Sequence, residues 1–492
     1  MESKVAGGSN ADDCEVDRID LRLPETVSDS KCSAIFHYGE SKECCISCFV
    51  LIDSVKVEDG KSVIKYLWTY PLEIKEVQEK YPNLNLFILS DVPQPAKAQK
   101  INYTSISTSD SGHRTYYHCV VFDNNQVAVS ITKHPWCNFF YNLGGLFDMR
   151  TRHLGDRMLK TLFSCLTPPS GASFPTPPGT DLSFKRPYDR ICPFIDTSPL
   201  DLLQTFPNLN VLFSIMSNLL LEKTTIIVGP NYPIVSKVLM SLQAFISPFE
   251  WVHIVLSPCL PELMNYLQAP VPILCSLQTW QLQLLDEEMI ESCLMVELDE
   301  NGVYKREKYF SQDPCLLPKS GKLSKFRTCL NLFRKRTPDN NVVCDLCRML
   351  LSYYAEMYTS LMSEKFMKSE AAGYGLSKVN FYREMSGNSR LHHLTDEINK
   401  CLDSPDKCWL DNEFIVAVLR SDPSYSPKCY QELIEEEKKG GGFLERHKFY
   451  FEGSDGLKSR NGIAKGGYGG EKFKSRSMLS CFSCARRNSD ED

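Results

Sequence analysis

The sequence predicts three successive fold classes: an α+β region, an α/β region with a mainly parallel sheet, and a mainly helical region. Three observations predict this. Short β-branched and aromatic runs come first, separated by polar loops and followed by helical spacing. Helices and strands then alternate, which implies parallel pairing through right-handed crossovers. Beyond about residue 323 apolar residues recur every three or four positions.

In the first region CISCFVLIDS, KYLWTYPL, LNLFILSD, TYYHCVVFD and QVAVSIT read as strands. The segment from His134 to Leu166 has helical spacing, with Phe140, Leu143, Leu146 and Phe147 on one side. TPPSGASFPTPPGTDLSF, residues 167–184, is dense in Pro, Gly and Ser and marks the sharpest boundary. Beyond it, Asn210 is placed to cap a helix bearing Val211, Leu212, Ile215 and Leu219. TTIIVG follows as a strand of the kind buried on both faces. Asn231 and Pro233 open a second helix with Ile234, Val235, Val238, Leu239, Leu242 and Phe245 inward. WVHIVLS is the next strand, then a short helix from Pro261 to Leu267, then strands ILCSLQ and SCLMVELDENGVY, the last ending in an Asn301-Gly302 turn. In the helical region Val343, Leu346, Leu350, Tyr354, Met357 and Leu361 form one stripe, and FIVAVLR and CYQELIEEEKK close it. Residues 1–30 and 440–492 hold too little apolar surface to offset ordering entropy and are expected to be disordered.

Bulk composition excludes several classes. Hydrophobic content of 42% and charged content of 24% suit a globular chain, and a net charge of −6 gives no general pull toward nucleic acid. No apolar segment of signal-peptide type opens the chain, and no window reaches about 18 apolar residues. The expectation is a cytoplasmic protein whose 21 cysteines, an odd number, are reduced thiols.

The motifs that suggest chemistry fail on spacing or on missing partners. Gly229 with Ser236-Lys237 resembles the ends of a phosphate loop, but Ile234 and Val235 stand where its second Gly and its Lys belong. Cys45/Cys48, Cys344/Cys347 and Cys481/Cys484 have CxxC spacing, yet none has a second pair nearby to complete four zinc ligands. His392-His393 fits no ligand spacing, and no GxSxG is present. No catalytic residue, metal or cofactor is expected. In the tail, Lys472, Lys474, Arg476, Arg486 and Arg487 surround Met478-Leu479, Phe482 and the thiols of Cys481 and Cys484. Basic residues beside accessible cysteines fit an anionic leaflet, with palmitoylation as a second signal.

The region around residue 250 carries a resemblance. Pro248, Phe249, Trp251 and His253, then Leu260-Pro261, Tyr266-Leu267, Ala269-Pro270 and Pro272, then Val296 to Asp299 with Gly302, resemble the central module of the DENN family. Upstream, Lys133-His134-Pro135-Trp136 resembles the turn that ends the family's first sheet. The resemblance covers roughly residues 31–438, and departs mildly at Glu297 and at Ile273-Leu274. It implies a longin-like upstream module over 31–166, the proline-rich join over 167–184, a central module over 185–322 and a helical downstream module over 323–439. It further implies a guanine-nucleotide exchange factor for a Rab GTPase, cytoplasmic or peripheral on endosomal or other trafficking membranes. The other classes it leaves open are a scaffold without exchange activity and a subunit of a GTPase-activating or lysosomal regulatory complex. An activating role needs an arginine finger, for which Arg150, Arg152 and Arg186 are the loop candidates. A membrane-attached adaptor acting through the tail is a third class.

Overall fold

The computed structural model describes residues 44–438, apart from 59–60, 89–94, 98, 110–111, 149, 169–171, 187–200, 287–289, 291–292, 310–316, 334–339, 364–375, 404–408 and 410–411. Both predicted disordered ends lie outside the described residues, as do the tail side chains from Lys472 to Arg487.

The first sheet contains β1 (Cys48–Glu58), β2 (Lys61–Tyr70), β3 (Lys100–Thr108), β4 (Arg114–Phe122) and β5 (Val127–Thr132). All pairings are antiparallel, in the order β2-β1-β5-β4-β3. Strict alternation sends Phe49, Leu51, Val120, Phe122 and Ala128 to one face and Cys48, Val50, Ile52, Cys119 and Val121 to the other. The first face is covered by α3 (Cys137–Gly145) and α4 (Arg152–Ser164), through Phe140, Leu143, Leu159 and Leu162. The second meets Val77 and Leu84 of α1 (Ile74–Lys80) and α2 (Leu84–Phe87).

One expectation fails here, and one strand goes unread. LNLFILSD begins with the short helix α2 rather than a strand. KINYTSIST, which is too polar to read as a strand, is the edge strand β3.

The second sheet has the order β10-β9-β6-β8-β7. Its strands are β6 (Thr225–Gly229), β7 (Ile254–Leu256), β8 (Ile273–Gln278), β9 (Leu294–Leu298) and β10 (Tyr304–Tyr309). β6 is parallel to β8 and β9, β7 is parallel to β8, and β10 returns antiparallel to β9. Ile227, Leu274 and Val296 face α6 (Leu209–Leu220) and α7 (Tyr232–Ile246). Ile226, Cys275, Leu277 and Met295 instead meet Met264 and Leu267 of a 3-10 helix, Pro261–Gln268, where an α-helix was expected. The cap of α6 is Asn208, whose side chain accepts from Asn210 N, so the predicted cap lies two residues late. α7 starts as predicted, with Asn231 accepting from Ile234 N at 3.2 Å. The strand read over Trp251–Ser257 shortens to three residues.

A short helix, α5 (Asp201–Thr205), precedes α6. The C-terminal part is helical: α8 (Gly321–Phe333), α9 (Asn340–Met362), α10 (Leu376–Ser386), α11 (Ser389–Leu402), α12 (Glu413–Ser421) and α13 (Pro427–Lys438). The predicted stripe on α9 buries Leu346, Leu350, Tyr354, Met357 and Leu361, against Phe414 and Val418 among others. Asn412 caps α12 by accepting from Phe414 N and Ile415 N at 3.1 and 3.2 Å.

Candidate functional site

The two sheets meet edge to edge, and the residues that join them are hydroxyls. Ile106 N donates to Ser257 O at 2.6 Å, a single antiparallel bridge between β3 and the end of β7. Around it, Ser236 Oγ accepts from Thr104 N at 3.0 Å and donates to Thr104 O at 2.6 Å. Tyr232 OH lies 3.1 Å from Thr104 O and 2.8 Å from Ser257 Oγ, which in turn accepts from Ser276 Oγ at 3.0 Å. Thr104, Ser236, Ser257 and Ser276 are all buried, so each bond satisfies a group that would otherwise be stranded. This also explains why β3 looks unlike a strand in sequence.

A second contact, made of charge, lies beside the first. Arg114, at the start of β4, donates Nη2 to the carbonyls of Trp251 and His253, the latter at 3.1 Å. The segment 251–253 is thereby held outside regular strand geometry. Glu222 sits just after α6 with φ +54, a left-handed conformation uncommon for a side chain of this size. Its carboxylate takes Arg390 Nε at 3.0 Å on one oxygen and His253 Nε2 at 3.0 Å on the other. Burial alone would raise the Glu222 carboxyl, but His253 and Arg390 outweigh it and hold it down to about 2. Arg390 is itself buried, lies over the Trp251 ring at 5.5 Å and donates to Leu219 O. Asn388 Nδ2 donates to Leu220 O at 2.8 Å, and Lys223 pairs with Glu384 at 2.9 Å. The C-terminal end of α6 is thus capped by side chains from α11 and the turn before it, while an ion pair ties Lys223 to α10. Glu250 completes the junction. Its carboxyl is pushed up to about 7 by burial, with Arg114 opposing and Glu397 adding to the rise.

The predicted signature residues divide by burial. His134, Pro135 and Trp136 are buried between the first sheet and α3, with the His134 ring stacked 4.1 Å from Trp136 and its carbonyl bonded to His118 Nε2 at 2.9 Å. Burial, helped by Arg186, lowers His134 to about 3, and burial lowers His118 to about 4. Both are neutral near pH 7; His118 is held through both ring nitrogens, by Thr104 Oγ1 and His134 O, and His134 by its stack on Trp136, as structural rings rather than proton carriers. Pro248, Phe249 and Trp251 are buried. Phe249 packs edge-on to Tyr354 at 5.3 Å, and Trp251 Nε1 donates to Ile254 O at 3.1 Å. Pro261, Tyr266 and Pro270 are exposed and Pro272 half-buried, around the 3-10 helix and its exit. Asp299 Oδ1 accepts from Asn301 N and Val303 N, both at 2.9 Å, building the β9–β10 turn. Gly302 has φ +78 there, and a Cβ would meet Ile234 Cγ2 at 2.7 Å.

The rejected motifs behave as packing. A Cβ on Gly229 would meet Val235 Cγ1 at 2.6 Å, so this glycine permits close strand–helix contact. Cys45 and Cys48 point into cores on opposite faces of the first sheet and share no site. The Cys344 side chain and the Cys481/Cys484 pair lie outside the described residues. Among the described residues no group of three or more His, Cys, Asp or Glu side chains is placed to hold a metal ion, and no helix is long and apolar enough to cross a membrane. Arg186 is buried, donates to Pro168 O at 2.7 Å and lies over Trp136, so it cannot act as a finger; Arg150 and Arg152 are exposed.

Sequence reasoning missed Arg114, Glu222 and Arg390. Nothing in their neighbourhoods signals them, because the contacts of Arg114 with Trp251 and His253 and of Arg390 with Glu222 span more than a hundred residues of chain, 168 in the case of Arg390 and Glu222. What the site can do is hold three parts of the chain in register and present the surfaces around them.

Comparison with known proteins bears on this core. Residues 125–301 match the model of the DENN (AEX-3) domain. DENN domain-containing protein 1B of Mus musculus is 23% identical over 243 residues, 48% of this chain and 31% of that protein. DENN domain-containing protein 2A of Homo sapiens is 31% identical over 115 residues, 23% of this chain and 11% of that protein. Each match thus covers less than a third of the relative's own length. The family match opens at the β4–β5 turn, crosses the proline-rich join and closes at the Asn301 turn. It takes in Tyr232, Ser236, Ser257, Ser276, Glu222 and Trp251, so the central side of both contacts lies inside the stretch that is similar to a DENN domain.

Proposed function

We propose that this chain is a guanine-nucleotide exchange factor for a Rab-type small GTPase. Its parts are a longin-like upstream module (31–166), the proline-rich join (167–184), a central module (185–322) and a downstream helical module (323–439). The observation that supports this reading is the DENN match over residues 125–301, since proteins of that family generally act on Rab GTPases. An exchange factor needs no acid or base of its own. It binds the nucleotide-free GTPase more tightly than the GDP form, and linkage then requires that GDP bind less tightly in the complex. Displacement of switch loops and Mg²⁺ is the physical route, because those loops are held by phosphate and metal contacts.

For the docking surface we favour the carboxyl ends of the second sheet's parallel strands, where α/β folds commonly meet their ligands. Trp280 and Leu284 lie on the 3-10 turn directly after β8 and are 48% and 41% exposed. Trp280 is pre-positioned by donating Nε1 to Gln278 Oε1 at 2.8 Å, and Trp is the residue most often dominant in interfaces. We place the protein in the cytoplasm, peripheral on trafficking membranes, with the basic, thiol-bearing tail as one attachment.

The test is release of labelled GDP from a panel of Rab GTPases in Mg²⁺ buffer with the full chain. Accelerated release from one or a few members is expected. Trp280→Ala should then slow it about tenfold, as for the loss of about 1.4 kcal/mol of contact energy. Flat traces across the panel from folded protein would overturn the exchange reading and leave the scaffold. Accelerated GTP hydrolysis, abolished by Arg150→Ala or Arg152→Ala, would instead establish an activating role.

A further inference from the structure

The outward face of α8 is a second, independent feature that the two contacts leave unused. From Pro314 to Pro338 the sequence holds seven Lys or Arg and no Asp or Glu, within a chain of net charge −6. Four of the seven, Lys319, Lys322, Lys325 and Arg327, are among the described residues. The inward side of α8 buries Leu323, Phe326 and Leu330. Lys322 is committed to the protein, donating to Ser352 O at 3.1 Å and Ser421 Oγ at 3.0 Å, and Arg327 donates to Asn210 Oδ1 at 2.8 Å. What remains outward is Ser324, Lys325, Thr328, Asn331 and Leu332.

Two properties of that face go together. Leu332 is 64% exposed, the most exposed large apolar side chain among the described residues, and it stands two turns from Lys325 on the same line of the helix. The hydroxyls between them are already satisfied: Ser324 Oγ donates to Ser320 O at 3.0 Å and Thr328 Oγ1 to Ser324 O at 2.9 Å. Their donors therefore forfeit no solvent hydrogen bond when water is displaced. An apolar prong, self-satisfied hydroxyls and unopposed positive charge are what an interfacial helix face requires. An acidic protein partner would be better served by free, directed donors, and here two of the four cations are already engaged.

We propose that the outward face of α8, centred on Lys325 and Leu332, rests on an anionic membrane surface. This attachment belongs to the folded part of the chain and is separate from the tail. It holds the body in one orientation, whereas a tail alone would only tether it.

The full chain is tested by flotation with phosphatidylcholine vesicles with and without phosphatidylserine. Binding is expected only with the anionic lipid. Lys325→Gln should lower partitioning about fivefold, since a basic residue near such a surface is worth about 1 kcal/mol, and Leu332→Ser should lower it further. Lys160→Gln, an exposed lysine of α4 far along the chain, serves as the control and should change nothing. Both test positions are exposed, and thermal melting checks that the variants fold. Three results would overturn the proposal. The first is no binding to anionic vesicles. The second is α8 variants that float like the parent while substituting Lys472, Lys474 and Arg476 by Gln abolishes binding. The third is a change in GDP release by Lys325→Gln in the absence of vesicles, which would make the face a protein interface.

Discussion

The seam between the two sheets and the junction with the C-terminal helices lie side by side, yet they are built from opposite materials. The seam is neutral: Thr104, Tyr232, Ser236, Ser257 and Ser276 exchange hydrogen bonds within 2.6–3.1 Å. The junction is ionic, with Glu222, Arg390, His253, Arg114 and Glu250 converging on the segment after α7. Neutral bonds contribute modestly each and ignore pH, while buried charges depend on every partner staying in place. The seam should therefore behave as a fixed weld, and the junction as the contact that substitution or pH can loosen.

The sharpest test of that contrast is Arg390→Ala. It removes a guanidinium that caps α6 through Leu219 O and neutralises Glu222. Breaking one side of a buried pair costs about 3–5 kcal/mol because the other charge stays buried. Urea unfolding at pH 7 should show a loss of this size. The loss should shrink as pH falls toward 2. Glu222 has a depressed folded-state pKa, so its stabilisation is present above the ordinary carboxylate range and vanishes as the group is protonated near 2. A loss under about 1 kcal/mol at pH 7 would make the junction no more important than a surface pair.

Glu250→Gln should act in the opposite direction. The folded state holds the Glu250 proton up to about 7, while the unfolded chain releases it in the ordinary carboxylate range. Between those values the folded state binds more protons, so stability falls as pH rises and stays reduced above 7. Glutamine mimics the protonated carboxyl. The variant should gain about 2–3 kcal/mol at pH 8 and nothing at pH 4. Arg114 would keep its bonds to Trp251 O and His253 O. Destabilisation at pH 8 would mean that Glu250 is an ionised partner of Arg114, and the junction would be better paired than its burial implies.

How legible each region was in the sequence follows the same division. α7 could be read to the residue, because Asn231 and Pro233 are local signals with local causes. β6, β8 and β9 were readable as apolar runs because both faces of each are buried. β3 was hidden because its Asn, Thr and Ser side chains serve the seam and hydroxyl pairing has no apolar signature. LNLFILSD misled for the reverse reason: its apolar residues suit a strand, but among the described residues Leu84 and Ile88 are the fully buried ones, four apart, which is helical spacing. The junction was invisible. A left-handed Glu222 looks like any glutamate, and Arg390 looks like a solvated helix residue until the fold brings the two together. The signature residues from Pro248 to Trp251 were found through family resemblance, and their burial then gives them a physical reason.

The smallest effect belongs to the seam. Tyr232→Phe deletes one hydroxyl that lies between Thr104 O and Ser257 Oγ. Thr104 O still accepts from Ser236 Oγ at 2.6 Å and Ser257 Oγ still accepts from Ser276 Oγ at 3.0 Å, so the loss leaves a single group, the Ser257 hydroxyl hydrogen, without its acceptor. The ring stays in place, edge-on to Tyr103 at 5.5 Å, so no cavity opens. The expected cost is about 1 kcal/mol, the net worth of one neutral hydrogen bond. It should be flat from pH 5 to about 9, because burial pushes the Tyr232 hydroxyl well above its ordinary value and it never ionises in that range. A cost matching that of Arg390→Ala, or one that varies with pH, would break the comparison. The hydroxyl chain would then be a cooperative network in which one lost member loosens the rest, and the two sheets would be held by the more vulnerable of the two contacts.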